Sequence, residues 1–184
     1  MRRIKLLLAG LLVFGPMAAF ADPIGFTFEQ GGFLDDDGVE GIVTGMFLGE
    51  DSNDNGQLSS FDGEIFDFVM SFSGNGLVGA FSLGLGDLFG LVYDLDGGPL
   101  GDGLSLDVEG IGAFGAFFGY VAGPGLGDVC GIGVECSLVY DDNALGESAS
   151  GELVAVRQVP EPGTLALLGL GLLGMGVARR NKKA

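Results

Sequence analysis

Glycine supplies 37 of the 184 residues, and the way it is spread limits the folds open to the chain. It shows no period of three, which excludes a collagen helix. Phe, Leu and Val recur between the glycines, where a disordered acidic chain would lack them. Apolar residues instead alternate. Phe66, Phe68, Met70 and Phe72 interleave with Ile65, Asp67, Val69 and Ser71, a period of two that predicts a strand with a nearly all-aromatic inward face. Leu104, Leu106 and Val108 interleave with Ser105, Asp107 and Glu109 in the same way. Further strands are predicted at 24–28, 41–48, 77–85, 88–94, 111–121, 137–140 and 152–156, separated by turn clusters at 35–38, 53–56, 74–76, 96–99 and 141–143. Glycines inside these runs, such as Gly112, Gly115 and Gly119, are expected to weaken pairing or mark bulges. The prediction is an all-β ectodomain, an antiparallel β-sandwich of jelly-roll-like type.

The two ends are apolar and basic, and the middle is acidic. Arg2, Arg3 and Lys5 precede an apolar stretch from Leu6 to Phe14 and the small-residue sequence Ala19, Phe20, Ala21. This is the layout of a secretory signal peptide over 1–21, cut between Ala21 and Asp22. All 25 acids fall between Asp22 and Glu161, where Arg157 is the sole base, so the segment 22–159 carries 24 acids against one base, a net −23. Such a surface repels phosphate backbones, which excludes nucleic acid as a partner, and attracts divalent cations. The chain has no histidine. That removes Ser-His-Asp and Cys-His machinery and the usual zinc ligands.

From Gln158 the composition changes. A linker over 158–163 holds Val159, Pro160, Glu161 and Pro162, fifteen uncharged residues follow over 164–178, and Arg179, Arg180, Lys182 and Lys183 close the chain. The order Pro-Glu-Pro, short glycine-rich membrane helix, basic cluster resembles the PEP-CTERM signal of Gram-negative bacteria. That resemblance implies a partner, the membrane-embedded cysteine protease exosortase, which cuts near the motif and releases the protein or transfers it to the cell surface, a system typically found beside exopolysaccharide gene clusters. It implies handling rather than activity. A helix of fifteen residues at about 1.5 Å each falls short of the ~30 Å hydrocarbon core, which suits a temporary anchor. Gly169, Gly171 and Gly174 reproduce a dinucleotide-binding spacing, but inside an apolar run rather than after a strand. The domain layout is thus signal peptide 1–21, acidic ectodomain 22–157, and sorting signal 158–184.

One stretch has ligand spacing. Asp51, Asn53, Asn55, Gln57, Ser59 and Asp62 stand at positions 1, 3, 5, 7, 9 and 12 of an EF-hand-like calcium loop, with Gly56 at the sharp turn. Position 12 is Asp rather than Glu, and the flanks read as strands. The same residues are ordinary turn formers, so calcium and a plain Asx-rich hairpin loop both remain open. Cys130 and Cys136, the only cysteines, are expected to form a local disulfide in an exported protein. An enzyme would rest on carboxylate pairs such as Glu64 with Asp67 or Asp107 with Glu109, as in a glycosidase. The sequence favours a non-enzymatic surface or matrix protein set among extracellular polysaccharides, with calcium as a candidate stabilising ion. A carbohydrate-active enzyme and a permanently anchored membrane protein are the alternatives.

Overall fold

The computed structural model describes residues 23–100, 109–123 and 137–160. These residues hold strands β1 (Ile24–Leu34), β2 (Glu40–Gly49), β3 (Gln57–Ser59), β4 (Ile65–Phe72), β5 (Phe81–Gly84), β6 (Leu88–Asp94), β7 (Gly110–Phe114), β8 (Phe118–Ala122), β9 (Ser137–Asp141), β10 (Gly146–Ser150) and β11 (Ala155–Val159). They build two antiparallel sheets, ordered β11-β1-β2-β4-β5 and β10-β9-β8-β7-β6-β3. The all-β prediction is met. The jelly-roll order is not: most neighbours in the sheets are neighbours in sequence, so that each such strand lies beside the one before it. The exceptions are β3, which crosses to the second sheet, and β11, which returns to pair with β1.

Local chemistry corrects several predicted strands. The run 111–121 is a hairpin, β7 and β8, closed by the Gly115 N–H on the Phe118 carbonyl at 2.8 Å. The run 77–85 is a strand only from Phe81, since the Asn75 side-chain oxygen takes the N–H groups of Leu77 and Val78 at 3.0 and 2.9 Å and holds them in a turn. The first strand extends well past Phe28, through a register shift between Gln30 and Phe33 that the left-handed backbone of Gly32 (φ +79°) allows. The last strand lies further along than 152–156, so Gln158 and Val159, the first residues of the linker read from sequence, belong to the sheet. The 104–108 alternation falls outside the described residues.

The sheets share one core. The first contributes Phe26, Phe28, Phe33, Val43, Phe47, Phe68, Met70 and Phe72, and the second Leu91, Tyr93, Ile111, Ala113, Tyr120 and Val139. Rings meet between them at Phe26–Tyr93 (5.2 Å), Phe33–Tyr120 (6.4 Å) and Phe81–Phe118 (5.0 Å). Phe66 corrects the sequence reading. A register shift between Leu48 and Gly49 leaves it as the extra residue of β4, 46% exposed, while Ile65 takes the inward place.

The glycines inside strands have a specific use. Phe28 pairs with Gly45 and Tyr140 with Gly119, and in each case a Cβ on the glycine would collide with the facing ring. Gly41, two residues before Val43, the register partner of Phe72, is likewise closed to a Cβ by the Phe72 ring. The glycine is the seat of the ring, and the ring covers backbone that glycine would otherwise leave bare.

Candidate functional site: an acidic loop, an aromatic row and the corner where the chain ends meet

The loop between β2 and β4 caps one end of the two sheets. Asp51 accepts the N–H groups of Asn55 (3.0 Å) and Gly56 (2.9 Å), one on each carboxylate oxygen. Asn53 accepts the Asn55 N–H at 3.0 Å, and Asn55 the Gln57 N–H at 2.8 Å. Gly56 has the left-handed backbone expected at the sharp turn (φ +83°), and Asp54 shares it (φ 56°). Gln57 and Ser59 lie on β3; the Gln57 amide donates to Asp94 at 2.6 Å, and the Ser59 hydroxyl accepts the Phe61 N–H at 3.2 Å. Asp62 is exposed in the following turn. The structure thus brings Asp51, Asn53 and Asn55 together around one bend.

Sequence reasoning missed the residue that holds this loop. Glu64 is fully buried and accepts from Ser52 N (3.0 Å), Ser52 Oγ (3.2 Å) and Asn53 N (3.3 Å) on one oxygen and from Ser59 N (3.1 Å) on the other. A carboxylate in such a cage is an anchor. Two places past the twelve-residue pattern, it carried no sequence signal. Its candidate partner Asp67 is on β4, exposed, accepting the Phe68 N–H at 2.9 Å. Glu109 is buried and accepts the Asp94 N–H at 2.7 Å, while Asp107 lies outside the described residues. Among the described residues no group of three or more Asp, Glu, Cys or His side chains is placed to hold a metal ion.

The outer face of the second sheet carries a row of rings. Phe114 and Tyr140 flank Gly119 in register and stack above it at 6.5 Å and 29°. Phe89, set outward by the register shift between Leu88 and Gly90, reaches Phe114 at 5.7 Å. Phe89 is 65% exposed and Phe114 38%. Burial, and then the charge of Asp142, pushes the Tyr140 phenol up.

β11 pairs with β1 from Glu29↔Ala155 to Gly25↔Val159, and Pro160 follows at once. Val159, Gly25, Leu48 and Asp67 lie in one row across the sheet, at the end that the 50–64 loop caps. Both chain ends therefore leave the fold at a single corner. Of the sorting residues, Val159 is the last residue of β11 and Pro160 is exposed beyond it. Glu161, Pro162, the 164–178 run, Ala21, Asp22, Cys130 and Cys136 lie outside the described residues.

Residues 158–183 match the family model of the PEP-CTERM protein-sorting motif. No curated protein and no solved structure gives a match to the chain. The motif is one that exosortase recognises, and it marks the chain for export and for passage through the membrane toward the cell surface.

Proposed function

We propose that this chain, which carries the PEP-CTERM protein-sorting motif, is a surface or extracellular-matrix protein of a Gram-negative bacterium, with a structural or binding role and no catalytic one. The observation that carries this reading is the direct junction of that motif to an acidic β domain, with only Pro160 between the last paired residue and the Glu161-Pro162 pair. The domain is the cargo, and the tail is its address. Exosortase removes the 164–178 segment and the basic residues behind it.

Exopolysaccharide is the proposed partner, and the aromatic row Phe89, Phe114 and Tyr140 supports it. Exposed rings on an even sheet face give the apolar faces of sugar rings a surface to stack on, and the glycine beneath keeps that surface low. Calcium is proposed at Asp51, Asn53 and Asn55, where each side-chain oxygen already turned inward by a backbone N–H keeps a further lone pair. Matrix fractionation tests the reading. The mature protein is expected in the polysaccharide fraction, and Phe89→Ala with Phe114→Ala is expected to release it while the fold persists. Release of new reducing ends from that polysaccharide by the purified protein would favour a carbohydrate-active enzyme instead. Retention of Arg179 to Lys183 in the bulk of the protein would favour a permanent anchor.

A further inference from the structure

The surround of the aromatic row narrows the kind of glycan it can take. Phe114, Gly119, Tyr140 and Glu147 stand in register across β7 to β10 on the outer face of the second sheet, and the Phe89 ring joins the line beside Phe114. The rings are uncharged, but carboxylates stand round them. Glu147 is exposed and directly opposite Tyr140. Asp142 is exposed two residues past Tyr140 and, behind burial, is the second cause that pushes its phenol up. Asp87 is held by the Gly84 N–H at 2.9 Å, with its other oxygen 4.0 Å from where a Cβ on Gly115, next to Phe114, would lie. Arg157, the sole base between Asp22 and Glu161, is on β11 in the other sheet.

Two physical effects then act in the same direction. The face of an aromatic ring is negative and draws a cation toward it, and the carboxylates around the row add a field of the same sign. A sugar bearing a carboxylate meets repulsion here, whereas one bearing an ammonium is attracted.

We propose that the row binds an amino-sugar polymer, the C–H faces of its rings stacking on Phe89, Phe114 and Tyr140 while its protonated amines meet Glu147 and Asp142. The inference rests on the exopolysaccharide reading above and names the class of glycan. A polyuronate offers the same apolar faces with the opposite charge, and a neutral glycan offers the faces alone, so charge decides among the three. The row crosses the strands and comes to a sheet edge at both ends. β10 is the outer strand on one side, and on the other β3 pairs with β6 only from Val92 to Asp94, short of Phe89. A polymer laid along the row passes off both ends, so the site takes the interior of a chain rather than its tip. The row also lies at the opposite end of β6 from Asp94, whose partner Gln57 belongs to the loop at the corner where the chain ends leave.

The test uses exported protein purified from a host with the sorting machinery. The chain has three tyrosines and no tryptophan, and Tyr93 and Tyr120 are buried, so a change in intrinsic fluorescence reports Tyr140. Three oligosaccharides of one length are titrated: an oligomer of glucosamine, its fully N-acetylated counterpart and an oligouronate. The glucosamine oligomer is expected to bind about tenfold more tightly than the acetylated one at low salt, an advantage that shrinks in about 0.5 M sodium chloride, with the oligouronate weakest. Glu147→Gln with Asp142→Asn is expected to weaken the glucosamine oligomer about three- to tenfold and leave the acetylated one unchanged. Phe89→Ala with Phe114→Ala is expected to weaken both by about tenfold or more. Equal binding of the first two oligomers, or tighter binding of the oligouronate, overturns the inference and leaves the exopolysaccharide reading standing; this comparison is made on the wild type and holds even if a variant fails to fold. Undiminished glucosamine binding in the folded double-Phe variant shows that the acidic surface at large holds the polymer, and also overturns it. Binding of none of the three overturns both.

Discussion

Gly45 and Gly38 separate two reasons for glycine. At Gly45 the backbone is ordinary and the Phe28 ring occupies the place of a side chain, whereas Gly38 faces open space but has φ +79°. Gly45→Val is expected to cost about 1–3 kcal/mol through overpacking, and Gly38→Ala about 1–2 kcal/mol through backbone strain alone. Urea unfolding measures both, and double substitution with Phe28→Leu should recover only part of the first, because a Cβ at Gly45 also meets the Val69 carbonyl oxygen at 2.7 Å, and none of the second. Buried polarity is concentrated at Gln30. Its amide donates to Ser137 Oγ at 2.7 Å and to the Glu152 carbonyl, and its oxygen accepts from the Tyr120 hydroxyl at 2.7 Å, tying the two sheets together. Tyr120→Phe leaves that oxygen unpartnered and is expected to cost about 1–3 kcal/mol. Burial also pushes the Tyr120 phenol up. The unfolded tyrosine loses its proton near pH 10 while the folded one keeps it, so stability is flat below that pH and falls above it by about 1.4 kcal/mol per unit. Unfolding midpoints between about pH 8 and 11.5 should show this alkaline limb, shallower in Tyr120→Phe.

At the scale of elements, the 50–64 loop invites two substitutions with different outcomes. Glu64→Gln turns one acceptor of the buried cage into a donor facing N–H groups, and is expected to destabilise by about 1–3 kcal/mol with or without calcium. Asp51→Ala is expected to remove the calcium response. With a Kd of about 0.1 to 1 mM, calcium at about 10 mM should add roughly 1.5 to 3 kcal/mol to the wild type, several degrees in Tm. An equal calcium response in wild type and Asp51→Ala, read by scanning calorimetry at matched ionic strength, would remove the site. The Asx pattern in the loop was legible because its spacing is local. Glu64 was not, because what made it an anchor was the arrival of Ser52 and Asn53 from one turn and Ser59 from β3 around its carboxylate. β4 teaches the same lesson in a strand. Alternation placed Phe66 inside, but one extra residue opposite Gly49 inverted the phase of Ile65 and Phe66, and a register shift is a property of two strands.

Across the whole molecule, charge has the widest reach. A segment of net −23 repels itself, so raising sodium chloride from about 0.01 to 0.5 M should raise Tm and level off as the screening length falls below the spacing of surface charges. Thermal scans over that series check this and supply the control for calcium. What the sequence determined by itself was local or compositional. The tail read as a sorting signal because its parts occur in order over 26 residues, and the β class followed from period-two alternation between turn clusters. Even the glycines were read as weak points for want of their partners. Only the tertiary structure seated Phe28 and Tyr140 on Gly45 and Gly119, set Phe89, Phe114 and Tyr140 in one row, and returned β11 to β1 so that both ends leave at one corner. Strand pairing brings together residues far apart in the chain, such as Gly25 and Val159, and the choice of partner is made by the shared core, where one arrangement of rings fills the space and the others leave it empty.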